Sequence, residues 1–329
     1  MIPAPEAAET VVVTGGAGFL GSHLCDRLLV AGWRVVCVDN FSTGLPENLV
    51  QARAYDTFGL HVHDVCEPFD IPGPVSAVMH LASPASPRDY GRLTLETLRA
   101  GSLGVFHALE LARRKGARAV FTSSSEVYGD PLVHPQTEDY RGNVNPVGPR
   151  AVYDEAKRFG ETACLTYRER YAVDTAIVRL FNTYGPRMRE DDGRMVPTFV
   201  RQALTGDALT VFGRGDQTRS LCYVDDTVQA LLEMMRSGHP GPVNIGNPEE
   251  LSVRATALLI RELTGTRSPV RELPAMPEDP RLRCPDIALA REVLGWAPRI
   301  GVRDGLLRTI GWYREQQADE RGIRAAQIL

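Results

Sequence analysis

The chain has 329 residues, of which 43% are hydrophobic and 24% are charged. This composition is typical of a soluble globular protein with room for one large unit or two smaller domains. The formal net charge of −4 disfavours nucleic acid or an anionic membrane surface as the main partner. We find no apolar run of membrane-spanning length and no secretory signal, and therefore expect a cytoplasmic protein that binds neither nucleic acid nor membrane.

The cysteines and histidines show none of the spacings of a metal site or a disulfide framework. The six cysteines form no CxxC pair, and the seven histidines form no HExxH-type cluster. We therefore predict free thiols in a reducing compartment and no bound metal.

Short apolar runs alternate with longer helical stretches through the first half of the chain. Strands are predicted at 11–14, 34–38, 61–64, 77–81, 119–123 and 175–180. Helices are predicted at 19–31, 94–115 and 152–171. This alternation predicts an α/β fold with a doubly wound parallel sheet of the Rossmann type.

The regular alternation stops after Asn182, where turn-rich pieces and a proline-dense stretch at 269–285 follow. We assign residues 1–182 to the Rossmann domain and 183–329 mainly to a smaller C-terminal substrate-binding lobe. Residues 243–246 are apolar enough for one more sheet strand, so a strand and helix near 217–247 should return to the first domain. At 303–315 the helical spacing of Leu306, Leu307, Ile310 and Tyr313 predicts a packing face.

The first predicted strand runs straight into a glycine-rich turn that opens a helix. Gly15, Gly18 and Gly21 suit a tight turn, a close backbone approach to a pyrophosphate, and close helix–strand packing. The free N–H groups at the start of a helix favour phosphate. Since a strand precedes the turn and a helix follows it, we predict a dinucleotide site that includes Phe19 and Leu20.

The second strand ends in Asp39, a position where a carboxylate can accept hydrogen bonds from both ribose hydroxyls. Such an acid would repel a 2′-phosphate, which favours NAD over NADP; the alternative is an ordinary turn residue. Asp64, at the end of the third strand, can meet the adenine edge or simply cap the strand. The predicted cofactor site also includes neighbours of the strand ends: Asn40, Val65, Leu81 and Ala82.

Tyr153 and Lys157 lie four residues apart at the start of a predicted helix, and therefore on one face. All but two of the 37 basic residues are arginine, so a lysine here is distinctive. An ammonium beside a phenol stabilises the phenolate, and the same lysine can bond the nicotinamide ribose. Ser124, which follows the fifth strand, can bond the substrate oxygen that Tyr153 deprotonates.

Together these motifs resemble the extended short-chain dehydrogenase/reductase superfamily, and within it the UDP-glucuronate decarboxylases (UDP-xylose synthases). The closer match lies in the runs 80–87 (HLASPASP), 125–131 (SEVYGDP) and 148–155 (GPRAVYDE). The runs 181–188 (FNTYGPRM) and 217–219 (QTR) are shared more widely with relatives that act on nucleotide sugars. The resemblance extends from residue 11 to about residue 296.

The resemblance implies an NAD-dependent carboxy-lyase that oxidises C4 of UDP-glucuronate transiently, loses carbon dioxide and returns the hydride. The expected product is UDP-xylose, with some UDP-4-keto-pentose if the ketone escapes. Where the family's 4,6-dehydratases have an Asp–Glu pair, this chain has Ser125 and Glu126, so the acid for water loss is missing. The alternatives are a UDP-sugar 4-epimerase and, more remotely, a non-catalytic NAD-sensing protein.

The resemblance also implies roles for residues near the sugar. Glu126 would order a water or assist protonation at C5, although from sequence it could equally be a solvated acid. Arg283 matches a family arginine near the sugar. The predicted substrate contacts are Ser83, Pro84, Asn182, Arg187, Arg219 and Arg283.

One position departs from the family pattern, in which an asparagine braces the site from the helix after the fourth strand. That position is Gly101 here, and we hypothesise weaker closure and some escape of the ketone. The two long helices at 94–115 and 152–171 resemble those of the family's four-helix bundle, so we expect a homodimer.

Overall fold

The computed structural model describes residues 9–275 and 279–326 of the chain. Its strands are β1 Thr10–Thr14, β2 Arg34–Asp39, β3 Phe58–Val62, β4 Ala77–His80, β5 Arg118–Ser124, β6 Thr175–Leu180, β7 Thr183–Tyr184, β8 Leu209–Phe212, β9 Thr218–Ser220, β10 Cys222–Tyr223, β11 Val243–Ile245, β12 Glu250–Ser252 and β13 Val270–Leu273. Its helices are α1 Phe19–Val30, α2 Pro87–Arg92, α3 Thr94–Arg99, α4 Val105–Lys115, α5 Ala151–Tyr171, α6 Met195–Thr205, α7 Val224–Arg236, α8 Val253–Thr264, α9 Ala288–Leu294 and α10 Val302–Ala326.

Seven of these strands form one parallel sheet in the order β11-β6-β5-β4-β1-β2-β3. The chain begins near the middle of the sheet, builds outward to β3, and then crosses to the other side through β4. Side chains of the central strands are buried on both faces: Val11 and Val13 join one hydrophobic cluster and Val12 joins the other. The predicted fold, a doubly wound parallel sheet, is confirmed.

After residue 182 the chain forms short paired strands and helices. Strand β8 pairs with β13, β9 with β12, and β7 with β10. The strand expected near residue 243 is present as β11, which pairs with β6 at the edge of the main sheet. The division of the chain at residue 182 stays a prediction.

Two local expectations were wrong, and one predicted helix contains an irregular turn. The third strand is Phe58–Val62, not 61–64, because this edge strand is only half-buried and its apolar pattern is weak. The helix expected over 94–115 is present with these bounds, and it consists of α3, a π-helical turn at Ala100–Gly104, and α4. On α10, Leu306, Ile310 and Tyr313 are buried, whereas Leu307 points away from the core and is exposed.

Within residues 9–275 and 279–326, no helix is both long and apolar enough to cross a membrane. In the same part of the chain, no group of His, Cys, Asp and Glu side chains is arranged to hold a metal ion.

Candidate active site

A cavity of about 360 Å³ opens at the carboxyl ends of the sheet strands, where the strand order reverses. Ligands of open α/β sheets bind at this place. Almost all predicted site residues line it: Gly15, Gly18, Phe19, Leu20, Gly21, Asp39, Asn40, Asp64, Val65, Leu81, Ala82, Ser83, Pro84, Ser124, Glu126, Tyr153, Lys157, Asn182 and Arg187. Arg219 and Arg283 do not line it.

The glycine turn between β1 and α1 leaves no space for side chains. Gly15 has φ +71°, and a Cβ on it would lie 2.7 Å from the Ala82 nitrogen. A Cβ on Gly21 would lie 2.1 Å from the Gly15 carbonyl oxygen. The bare backbone therefore forms a cradle at the N-terminus of α1, which fits the pyrophosphate of a dinucleotide.

Asp39 ends β2 at the edge of this cradle. Its Oδ2 accepts the Ala17 N–H at 2.9 Å and its Oδ1 accepts the Phe41 N–H at 2.8 Å. Burial raises the pKa of Asp39, and these two N–H groups oppose that shift. Each oxygen retains a lone pair that can accept a ribose hydroxyl, so the carboxylate can shape the loop and hold a ribose at once.

Asn40 and Asp64 lie together at the adjacent strand ends. The Asn40 amide donates to Asp64 Oδ2 at 3.2 Å, and the Cys66 N–H donates to Asp64 Oδ1 at 2.8 Å. Asp64 therefore caps the end of β3 and also lines the cavity, so the two interpretations of this residue are compatible.

Tyr153 and Lys157 face the cavity from the first turns of α5, beside Ser124 at the end of β5. The Lys157 ammonium donates to the Thr122 carbonyl at 2.8 Å and lies 5.5 Å from the centre of the Tyr153 ring. The Ser124 hydroxyl accepts the Glu126 N–H at 3.2 Å. The arrangement places a phenol, an ammonium and a hydroxyl around one point of the cavity wall.

The electrostatics of this trio follow from its burial. Desolvation raises the pKa of Tyr153, and the charge of Arg194 and the Ser124 hydroxyl oppose that shift. Burial lowers the pKa of Lys157 to about 8. The phenol is therefore neutral at rest, and it needs the ammonium to carry negative charge during a proton transfer.

Glu126 follows Ser124 and Ser125 in a short 3₁₀ turn, Ser125–Tyr128. Both Nη atoms of Arg283 donate to its carboxylate, the second at 2.9 Å, and Arg150 donates to Oε2 at 2.7 Å. Although burial opposes it, these two guanidinium groups lower the pKa of Glu126 to about 2. Glu126 is thus a mostly buried, ionised and oriented carboxylate with its side chain 15% exposed, and the interpretation as a solvated acid was wrong.

Arg283 reaches Glu126 because its segment is fastened to the first half of the chain. The Cys284 N–H donates to the Gln136 side chain at 2.9 Å, and the Gln136 N–H donates to the Cys284 carbonyl at 2.8 Å. Arg219 also holds this segment, because its guanidinium donates hydrogen bonds to Asp279 at 2.6 Å and to the Pro280 carbonyl at 2.8 Å. These hydrogen bonds hold the Arg219 side chain at this loop, and Arg219 does not line the cavity.

Of the other predicted substrate contacts, Asn182 lines the cavity and its buried Oδ1 has no hydrogen-bond partner. Ser83 and Pro84 line it after β4. Arg187 is turned toward α1, where it pairs with Asp26 at 2.6 Å and Gln51 at 3.0 Å.

Sequence reasoning missed several polar residues of the site. Arg150 belongs to the matched run 148–155, which could have identified it as a partner of Glu126. Tyr90 stacks on Tyr153 with ring centres 5.2 Å apart, and it lies just past the matched run 80–87. Arg194 and Arg189 line the cavity from the loop before α6, where no motif indicated them.

Gly101 lies in the π-helical turn and packs against helix α5, which carries Tyr153 and Lys157. A Cβ on it would lie 2.5 Å from the Ala156 Cβ, and Ala156 stands between Tyr153 and Lys157. The glycine thus allows close packing here, and a larger side chain would need space at position 156.

Comparisons with a family model, with individual sequences and with solved structures agree on the family of this chain. The sequence model of the NAD dependent epimerase/dehydratase family matches residues 11–246. The chain is 47% identical over 318 residues to UDP-glucuronic acid decarboxylase 1 of Danio rerio, covering 96% of this chain and 76% of that protein. It is 48% identical over 297 residues to UDP-glucuronic acid decarboxylase 6 of Arabidopsis thaliana, covering 90% of this chain and 86% of that protein.

Solved structures with the same fold include epimerases of this family. The UDP-glucuronic acid 4-epimerase from Bacillus cereus, in complex with UDP-glucuronic acid and NAD, is 26% identical with a TM-score of 0.83, covering 93% of this chain and 99% of that one. The UDP-glucose 4-epimerase from Thermotoga maritima, with UDP-glucose, is 28% identical with a TM-score of 0.85, covering 94% and 99%. The chain therefore belongs to the NAD-dependent epimerase/dehydratase family and, within it, to the UDP-glucuronic acid decarboxylases.

Proposed function

We propose that the protein decarboxylates UDP-glucuronate with enzyme-bound NAD and yields UDP-xylose. The observation that carries this is the ionised Glu126, held by Arg283 and Arg150, beside the Tyr153–Lys157–Ser124 trio in one cavity. Identities of 47% and 48% to proteins named UDP-glucuronic acid decarboxylase support the same reaction.

The cradle of Gly15, Gly18 and Gly21 would hold the pyrophosphate of NAD, and Asp39 would hold its adenosine ribose. Lys157 would bond the nicotinamide ribose. When bound, NAD supplies reversible oxidation at C4 of the sugar. A 4-ketone is β to the C6 carboxylate, so the electrons of the breaking C5–C6 bond can be delocalised into the ketone oxygen.

The residues of the chain handle the protons and the substrate's orientation. Tyr153 takes the proton of the C4 hydroxyl, and the Lys157 ammonium stabilises the resulting phenolate. Ser124 donates to the same sugar oxygen. Since a buried Ser125 stands where a dehydratase needs an acid, loss of water from C6 is not assisted.

The test is mass spectrometry of UDP-glucuronate incubated with the purified protein, without added cofactor and then with NAD⁺. We expect loss of the carboxyl mass and a pentose product. An unchanged mass would contradict decarboxylation and point to 4-epimerisation or to another sugar. The ratio of pentose to keto-pentose tests the hypothesis that Gly101 weakens closure and lets some ketone escape. A product of UDP-xylose without any keto-pentose would contradict that hypothesis.

We further propose a homodimer through helices α3, α4 and α5. Large apolar side chains are exposed along this face, among them Leu103 at 44%. Phe106 and Phe159 form an edge-to-face pair there with ring centres 5.4 Å apart. An exposed apolar face of this kind on neighbouring helices is typical of an interface. For the location we propose the reducing cytoplasm, on the cysteine pattern of the sequence.

A further inference from the structure

A second buried carboxylate feels the charge of Glu126 and has no part in the mechanism above. Asp154 follows Tyr153 on α5 and is 4% exposed. Its Oδ1 has no hydrogen-bond partner, and neither have the Nε atoms of Arg150 and Arg283. A buried carboxylate with unused lone pairs is costly when ionised.

Glu126, Asp154, Arg150 and Arg283 form a charged cluster. Its positive and negative charges balance when both carboxylates are ionised. Arg150 and Arg283 supply two positive charges, and both bond Glu126. Asp154 lies one helical turn after Arg150, whose carbonyl accepts the Asp154 N–H at 3.2 Å. The other titratable groups that face Asp154 are Tyr90 of α2 and Glu155 of its own helix.

The two carboxylates differ in how readily they bind a proton. Burial, together with the charge of Glu126, raises the pKa of Asp154 to about 7. Glu126, by contrast, is bonded to both guanidinium groups and stays ionised. Any additional negative charge in the cluster is therefore compensated by protonation of Asp154 rather than of Glu126.

A uronate substrate brings such a charge. With its C4 hydroxyl at Tyr153, the C6 carboxylate is only two bonds from C4. Glu126 lines the cavity at this place, and its charge already acts on Tyr153. Since like charges repel strongly where water is excluded, a third carboxylate favours binding of a proton.

We propose that Asp154 takes up one proton when a uronate occupies the sugar site and releases it when the carboxylate leaves as carbon dioxide. The inference rests on the proposed function. Conversion of a carboxylate to carbon dioxide and a C–H bond consumes one proton, which matches the one that Asp154 releases. Asp154 is a positioning residue, because it balances charge through Glu126 and the arginines and does not line the cavity.

Isothermal titration calorimetry counts the protons when it is run in two buffers of different ionisation enthalpy. The background is Tyr153→Phe, which strongly slows turnover, and the pH is 7.5. We expect UDP-glucuronate to bind with uptake of at least roughly half a proton, and UDP-xylose, which lacks the carboxylate, with none. Asp154→Asn in this background should abolish the uptake, and the matched control Glu155→Gln should retain it.

Equal proton uptake with both nucleotides, or unchanged uptake in Asp154→Asn, would overturn the proposal. If Asp154→Asn does not fold, the Tyr153→Phe protein still decides the question. The ratio of the two Kd values, UDP-glucuronate over UDP-xylose, should rise about tenfold per pH unit above pH 7.5, since ionised Asp154 opposes only the uronate. A ratio of Kd values that does not change with pH overturns the proposal. Titration of Lys157 does not change this ratio, because Lys157 lies in the site of both nucleotides and affects both Kd values alike.

The outcome is separable from that of the proposed function. If the wild-type protein releases carbon dioxide from UDP-glucuronate but binds it without proton uptake, only the role of Asp154 fails. If it releases none, the proposed function itself fails.

Discussion

At Tyr153 and Lys157, burial moves two pKa values in opposite directions. The pKa of the phenol rises and that of the ammonium falls to about 8, so the two values move apart. Burial disfavours the charged form of each group, so formation of the phenolate depends on the charge of the Lys157 ammonium beside it. Lys157 keeps its place through the Thr122 carbonyl, and Tyr153 through stacking on Tyr90.

Tyr153→Phe should lower kcat by about 10²–10⁴-fold, because the variant cannot accept the C4 proton. Affinity for NAD should remain within a factor of about three, since the ring stacking on Tyr90 is kept. Single-turnover kinetics and NAD titration measure the two quantities. A variant that retains more than a tenth of wild-type kcat would exclude Tyr153 as the base.

The rate should also report the Lys157 pKa. Its ammonium is present below about pH 8 and is lost above it, so kcat at saturating UDP-glucuronate is expected to fall as the pH rises through that value. In Lys157→Arg the residual activity should be low but should lack this fall, because a guanidinium stays charged. Identical pH profiles for the two proteins would assign the decline to another group.

At the scale of elements, the site depends on how closely the helix after β4 approaches α5. The π-helical turn at Ala100–Gly104 contacts α5, and Gly101 meets Ala156 there. Gly160 on the same helix packs against the Phe121 ring of β5, where a Cβ would lie 2.2 Å from the ring. Small residues on these facing surfaces let the backbone of α5 bring Tyr153 and Lys157 over the end of β5.

Gly101→Ala should therefore destabilise the protein by about 1–3 kcal/mol through overpacking. Gly101→Ala combined with Ala156→Gly should recover most of that loss, apart from roughly 1 kcal/mol for a glycine inside a helix. Urea denaturation gives the free energies of unfolding, and Ala156→Gly alone is the control. If the losses of the two single variants simply add in the double variant, the two positions do not compete for the same space.

At the scale of the molecule, two chain segments far apart in sequence complete one site. Glu126 and Arg283 are separated by 157 positions, and the loop that carries Arg283 is held by Gln136 and Arg219. The exposed apolar face of α3, α4 and α5 lies on the same helices that position Tyr153 and Lys157. Dimerisation through this face would consequently stiffen the catalytic helix.

Leu103→Glu should convert the proposed homodimer to a monomer, because a charge within an apolar interface is costly. Leu307 on α10 offers a matched control, since it is 46% exposed against 44% for Leu103. Sedimentation velocity should show a monomer for Leu103→Glu and a dimer for Leu307→Glu and the wild type. A wild-type monomer, or a dimeric Leu103→Glu, would place the interface elsewhere or remove it.

The sequence by itself determined what depends on neighbours along the chain. The glycine turn between β1 and α1, Asp39 at a strand end, and the Tyr153–Lys157 face of a helix all follow from local spacing, because a strand, a turn and a helix fix such positions within a few residues. The parallel sheet follows from the alternation of strands and helices. Only the tertiary structure decided the partners that meet across the fold: Arg150 and Arg283 around Glu126, Arg219 committed to the loop at 279–280, Arg187 turned to Asp26, and Gly101 against Ala156. These contacts depend on how distant segments pack and on which hydrogen-bond donors lose their water when they are buried. Neither can be inferred from residue spacing along the chain.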